Sequence, residues 1–164
     1  MLFRDAAAIE AMQKVDTIIV DKTGTLTEGK PAFDRAIAAS GFQEEDVLRI
    51  AASIDQGSEH PLAHAIVAEA RRRNLPLHKP ENFESSSGIG VRGTVQGEWV
   101  ALGNTALMDI EKVDWTPLQK AAEELRHVGA SVMYLALQGK LVGLIAVSDP
   151  VKETTPEALA TLRD

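Results

Sequence analysis

The stretch of the chain richest in reactive side chains is Asp21-Lys22-Thr23-Gly24-Thr25-Leu26-Thr27. It follows Thr17-Ile18-Ile19-Val20, a β-branched apolar run whose lack of alternation predicts a strand buried on both faces, as in a parallel sheet. An aspartate at the carboxyl end of such a strand sits where open α/β sheets place their ligand chemistry. Its carboxylate can attack phosphorus and form an aspartyl-phosphate. Gly24 lets the backbone fold closely around a phosphate, and successive N–H groups can form an anion nest. Hydroxyls of Thr23 and Thr25 add neutral donors, and Lys22 sets a positive charge beside the carboxylate. Mg²⁺ is expected to bridge carboxylate and phosphate. Thr23 stands where a second aspartate could have moved a proton, so an acyl-phosphate formed here is expected to persist. Taken alone, Asp21 could instead cap its own turn. The whole heptapeptide after a buried strand favours the nucleophile.

A second constellation lies further on. Ser58-Glu59-His60-Pro61-Leu62 opens a predicted helix, whose N-terminus offers N–H groups and partial positive charge to an anionic ligand. An imidazole there can stack on a purine, and a nearby carboxylate can accept from a purine amino group. His60 alone would read as a surface histidine near a cap. Two glycine features change that. Ser87-Gly88-Ile89-Gly90-Val91 lets backbone approach a ligand before a strand, and Gly103-Asn104 follows the next strand with another bare backbone and an amide. A lone Gly-x-Gly is more often a turn or bulge; the order of the three elements is what discriminates. His60 and His64 are four apart, but no third ligand accompanies them, so His64 is expected to face solvent.

The elements that must position these residues are legible in outline. Helices are predicted over Asp5–Met12, Glu44–Ile54, Leu62–Arg73, Pro117–His127 and Glu153–Arg163. Leu62, Ile66 and Ala70 share one apolar face, with Pro61 at the first turn and Ser58 as cap. Arg71-Arg72-Arg73 complements the helix dipole at the other end. Val91–Val95 and Trp99–Leu102 flank Gln96-Gly97-Glu98, and Ser131–Leu137 and Leu141–Val147 flank Gln138-Gly139-Lys140, which are two hairpin signals. Trp99 is expected to cover the sheet. Asp149-Pro150 reads either as a plain turn or as a strand re-entering the first domain. The pattern implies an α/β chain in which an antiparallel sheet with helices, residues 32–146, is inserted between residues 1–31 and 147–164 of another domain.

Composition agrees with a folded domain. The 164 residues carry a net charge of −7, which disfavours nucleic acid as partner. Hydrophobic residues make up 45% and aromatics only 4%, so aliphatic side chains and alanine must fill the core. The absence of cysteine removes disulfides, zinc–thiolate sites and cysteine nucleophiles. No run approaches the length of a membrane span, and Arg4 and Asp5 are unlike the start of a signal peptide.

The heptapeptide resembles the phosphorylation signature of P-type ATPases, and the order Ser-Glu-His-Pro, Gly-x-Gly-Val, Gly-Asn resembles their heavy-metal-transporting P1B subgroup, closest to copper exporters. That resemblance implies a nucleotide-binding domain inserted into a partial haloacid-dehalogenase-like Rossmannoid phosphorylation domain, truncated after residue 164. It implies that ATP phosphorylates Asp21, with Lys22 and Thr25 beside it, and that Asp21 and the Thr23 carbonyl help hold Mg²⁺. It implies that His60 orients adenine, that Gly88, Gly90, Val91, Gly103 and Asn104 shape the pocket, and that Asp55 stands where the family usually has glutamate. Asp55 is one methylene shorter, with Glu59 as a second carboxylate that in the family supports the histidine. ATP or ADP, the remaining phosphorylation, actuator and membrane domains, and a soft cation such as Cu⁺ are the implied partners, on the cytoplasmic side of a membrane. A capped phosphatase of the haloacid dehalogenase type and a non-catalytic nucleotide-sensing module are the alternatives.

Overall fold

The computed structural model describes residues 15–161. They fall into two compact units, one of residues up to 29 and from 151 onward, the other of residues 30–150.

The larger unit is built on a six-stranded sheet. Its strands are β1 (Ala32–Ala38), β2 (Glu81–Ser86), β3 (Gly90–Val95), β4 (Glu98–Gly103), β5 (Ser131–Leu137) and β6 (Lys140–Ser148). They lie in the order β1-β6-β5-β4-β3-β2, every pair antiparallel. Both expected hairpins form. Gln96 and Gly97, and likewise Gln138 and Gly139, all have positive φ, the two-residue turn whose twist matches paired strands. Four helices accompany the sheet, α1 (Glu44–Asp55), α2 (Pro61–Arg72), α3 (Thr105–Ile110) and α4 (Gln119–His127), the last preceded by a single tight turn at Thr116–Leu118.

The sheet is covered on both faces. Val100, Leu102, Leu135 and Ile145 pack with Leu48, Ile54 and Ile66 of α1 and α2. Their neighbours Ala101, Tyr134, Ala136 and Leu144 pack with Leu107, Met108, Ala122 and Leu125 of α3 and α4. Alternate residues of the central strands thus feed two cores, which is why these strands read as continuous apolar runs. The chain enters this unit beside its exit: Ala32 pairs with Ser148, and the Lys30 N–H donates to Asp149 Oδ1 at 3.2 Å.

The structure differs from the sequence reading in two places, and part of that reading falls outside the described residues. No strand forms over Thr17–Val20, where Ile19 is 96% exposed. A parallel strand exists only where neighbours satisfy its N–H and C=O groups, and none of the described residues pairs with this run. β1 and β2 were not anticipated individually. Both are edge strands, with polar residues such as Asp34, Arg35 and Glu84 breaking the alternation. Finally, the helix expected over Asp5–Met12 lies outside the described residues, as does the end of the one expected over Glu153–Arg163, which forms as α5 (Thr155–Thr161).

Leu135 sits in the middle of the sheet with no exposed surface. Leu135→Ala is expected to cost about 2–4 kcal/mol of stability, measured by urea denaturation.

Candidate functional site

The Asp21 turn belongs to the smaller unit. Thr23 (φ −73°, ψ 122°) and Gly24 (φ 74°, ψ −12°) are the central residues of a type II turn, whose second position demands the positive φ that glycine tolerates. Thr27 closes the turn. Its buried hydroxyl donates to the Lys22 carbonyl and accepts from the Gly24 N–H, each at 3.2 Å, and its own N–H also reaches Lys22 O. Lys152 Nζ donates to the Gly24 carbonyl at 2.8 Å, and Thr155 Oγ1 to the Leu26 carbonyl at 2.8 Å. Asp21 makes no capping hydrogen bond and is exposed, as are Lys22, Thr23 and Thr25. The turn therefore holds itself closed without the Asp21 carboxylate, which is left available for chemistry. Lys152 was missed in the sequence, where it is one lysine behind Asp149-Pro150 with no spacing that marks it.

The larger unit carries a cleft of about 530 Å³, within the range of small-molecule sites. Asp55, His60, Gly88, Gly90, Val91, Gly103 and Asn104 all line it. Glu59 does not; it is exposed and is not among the lining residues. Leu62, Leu102 and Met133 supply apolar wall, and the hydroxyl-bearing Ser85, Ser86 and Ser87 form a rim whose serine run was visible in the sequence but unused.

His60, not Ser58, caps α2. Its Nδ1 accepts from the Leu62 N–H at 3.1 Å, while Ser58 Oγ accepts from the His60 N–H at 3.2 Å. Proline at the first helical position makes the preceding residue the cap. The bond requires a lone pair on Nδ1, so the neutral ring carries its proton on Nε2. It also corrects the expected anion site. Pro61 has no N–H, that of Leu62 goes to the imidazole, and that of His64 goes to the His60 carbonyl. Little donor capacity is left here for a phosphate, whereas the ring is held in one orientation by its bond to the Leu62 N–H.

Gly90 and Gly103 face each other across β3 and β4. A Cβ on Gly90 would lie 2.4 Å from the Leu102 carbonyl oxygen, and one on Gly103 would lie 2.4 Å from that of Ile89. These glycines serve first the approach of two strands. The Asn104 amide is likewise committed, its Nδ2 donating to the Gly88 carbonyl at 2.8 Å and its Oδ1 accepting from the Leu107 N–H at 3.2 Å. Asn104 thus positions the Gly88 turn while capping α3.

Asp55, the last residue of α1, is 5% exposed and its Oδ2 has no hydrogen-bond partner. Burial pushes its carboxyl up from the usual range to about 7. His64 is exposed. Arg72 and Arg73 pair with Glu69, and the Trp99 indole N–H donates to Glu111. Among the described residues no cluster of three His, Cys, Asp or Glu side chains could hold a metal.

This pairing of an unengaged aspartate turn with an inserted sheet domain matches a known class. The model of the haloacid dehalogenase-like hydrolase family covers residues 15–164, and the chain belongs to that family. Within it, the chain is 48% identical to a copper-exporting P-type ATPase of Legionella pneumophila, over 99% of this chain and 22% of that protein. The fold superposes on a zinc-transporting PIB-type ATPase with a TM-score of 0.76 at 31% identity, over 86% of this chain and 23% of that one. It also superposes on the catalytic domain of a CPx-ATPase described for its conformational changes upon nucleotide binding, with a TM-score of 0.68 at 25% identity, over 98% and 54% of the two chains. The chain spans about a fifth of the length of the curated relatives it matches.

The raised Asp55 carboxyl has a defined consequence for stability. The folded state holds this proton to a higher pH than the unfolded chain, so the stabilising effect is complete below about pH 4 and is lost as pH rises through about 7. Asp55→Asn should remove this decline, gaining on wild type by at most about 4 kcal/mol at pH 8 in thermal denaturation.

Proposed function

We propose that this chain is the ATP-handling part of a P1B-type metal-exporting ATPase. Residues 30–150 bind ATP or ADP through the cleft, and Asp21 in the other unit is the residue phosphorylated. The observation that carries this reading is the cleft itself. It combines an imidazole clamped in one orientation, a buried carboxyl without a partner and apolar walls on a single domain. A flat heterocycle with a polar edge is the chemistry that satisfies all three.

The transfer balances simply. An Asp21 carboxylate oxygen bonds to the γ-phosphorus as the bond to the bridging oxygen breaks, and ADP leaves with that oxygen's electron pair. Lys22 follows the reacting residue directly in the chain, and Lys152 and Thr27 keep the turn in its type II geometry. Thr23 offers no acid or base, which favours a phosphoenzyme that lasts until another part of the protein hydrolyses it. Mg²⁺ suits the oxygen-only donors here, Asp21 and the Thr23 carbonyl, but these are two of the six it takes, so phosphate oxygens, water or other segments complete the set. When bound, it would neutralise charge shared by carboxylate and phosphate.

Copper(I) is the proposed cargo, carried by membrane segments elsewhere in the protein, with this part on the cytoplasmic side where ATP is found. The name of the relative with 48% identity supports copper. Among the described residues no helix is long and apolar enough to cross a membrane.

Two measurements test the assignment. His60→Ala should weaken ATP binding by about 1–3 kcal/mol in calorimetry, through loss of both stacking and ring placement; unchanged affinity would remove the imidazole from the site. In the intact pump, Asp21→Asn should abolish acid-stable labelling from γ-labelled ATP, and label that persists rules out Asp21 as nucleophile.

A further inference from the structure

The edge strand β2 has a single neighbour, β3, yet its last two residues, Ser85 and Ser86, form part of the cleft rim. Its register breaks between Glu81 and Glu84, where Asn82 takes a positive φ of 50°. A bulge of this kind re-aims the side chains within it. Phe83 lies in the bulge and packs on the first core. Gly93 of β3 makes room for it, since a Cβ there would lie 2.9 Å from the Glu81 carbonyl oxygen and 3.2 Å from Phe83 Cα. The next residue, Glu84, pairs with Arg92 at 2.8 Å, and Arg92 reaches Glu111, just past α3, at 3.1 Å. The Trp99 indole N–H of β4 donates to the other Glu111 oxygen at 2.9 Å. The bulged strand is thereby tied to β3, β4 and the end of α3.

The Phe83 ring meets the opposite wall of the cleft at Gly57. A Cβ on Gly57 would lie 2.7, 2.8 and 3.0 Å from three atoms of that ring, the nearest heavy atoms to the position. Neither Gly57 nor Phe83 lines the cleft. Gly57 does begin the short connection that delivers His60. The Ser58 N–H donates to the Asp55 carbonyl at 3.0 Å, and Ser58 Oγ accepts from the His60 N–H at 3.2 Å. A shift at Gly57 therefore passes through Ser58 to the imidazole. The ring is backed by a close-packed core, which yields little, whereas Gly57 is exposed. Bulk added between them displaces the connection rather than the ring.

Resting on the nucleotide reading above, we propose that Phe83 is a positioning residue for the cleft: from the edge strand its ring seats Gly57 and so sets the separation between the His60 imidazole and the serine rim. Binding constellations tolerate only about 0.5 Å of misplacement before affinity suffers. Phe83 gives the nucleotide no contact of its own, so its effect on binding runs through His60.

The test is calorimetric titration of the 164-residue chain with ATP, with the ¹⁵N shifts of the His60 imidazole recorded on the same samples. Gly57→Ala should weaken ATP binding roughly tenfold and move the His60 shifts. Phe83→Ala should weaken binding roughly threefold or more and move the same shifts. With the ring gone the added methyl meets nothing, so Gly57→Ala in the Phe83→Ala background should cost less than about twofold further. Leu125→Ala, in the second core, should lower thermal stability while leaving ATP affinity and the His60 shifts as in wild type, which separates positioning from stability. Wild-type affinity in Gly57→Ala, unmoved His60 shifts, or an equal Gly57→Ala penalty without the ring would each overturn the proposal. Should Gly57→Ala fail to fold, Phe83→Ala decides alone, and wild-type affinity in that variant overturns it. If the wild-type chain does not bind ATP, the nucleotide reading falls and the role of Phe83 with it; if wild type binds and the two substitutions act independently, only the role of Phe83 falls.

Discussion

The larger unit depends on how closely two strands can approach at Gly90 and Gly103. A side chain at either position would collide with the carbonyl of the facing strand at 2.4 Å. With both bare, the Asn104 N–H reaches the Ile89 carbonyl at 2.9 Å, and the Asn104 side chain can cap α3 and hold the Gly88 turn together. That contact sets one wall of the cleft and one end of the helix that closes the second core. A motif that looks made for a ligand is thus first a packing constraint, and the ligand surface is what the constraint leaves open.

The opposite wall rests on one imidazole with two duties. His60 completes the first turn of α2 through Nδ1, and the same bond fixes its ring at the cleft. The stability of the helix start and the recognition proposed for the cleft therefore meet at this residue. Asp55 shows the complementary case, in which the fold gives up stability to keep a polar group in an apolar wall. Buried polar groups without partners are uncommon in native proteins and tend to mark function.

The smaller unit works differently. Its turn is closed by backbone and threonine hydrogen bonds, with Lys152 and Thr155 arriving from more than a hundred residues away in sequence. Asp21 takes no part in that closure. The nucleophile proposed for this turn is thus not needed by the structure around it, and its charge and position can change without unfolding the turn.

Much of this was legible in the residues themselves. Pro61 announces a helix start, Gln96-Gly97 and Gln138-Gly139 announce tight hairpins, and Gly24 announces the type II turn, because backbone preference at these positions is local. Of the candidate site residues, all but Glu59 line the cleft or lie in the Asp21 turn. What could not be read is whatever depends on partners distant in sequence. β1 and β2 are strands because β6 and β3 pair with them, despite weak patterns of their own, while Thr17–Val20 has a strong strand pattern and no partner among the described residues. Likewise the sequence alone determined that an acid stands five residues before His60. Only the tertiary structure decided that this acid is buried without a countercharge, because burial is set by everything packed around a side chain and not by its neighbours in the chain.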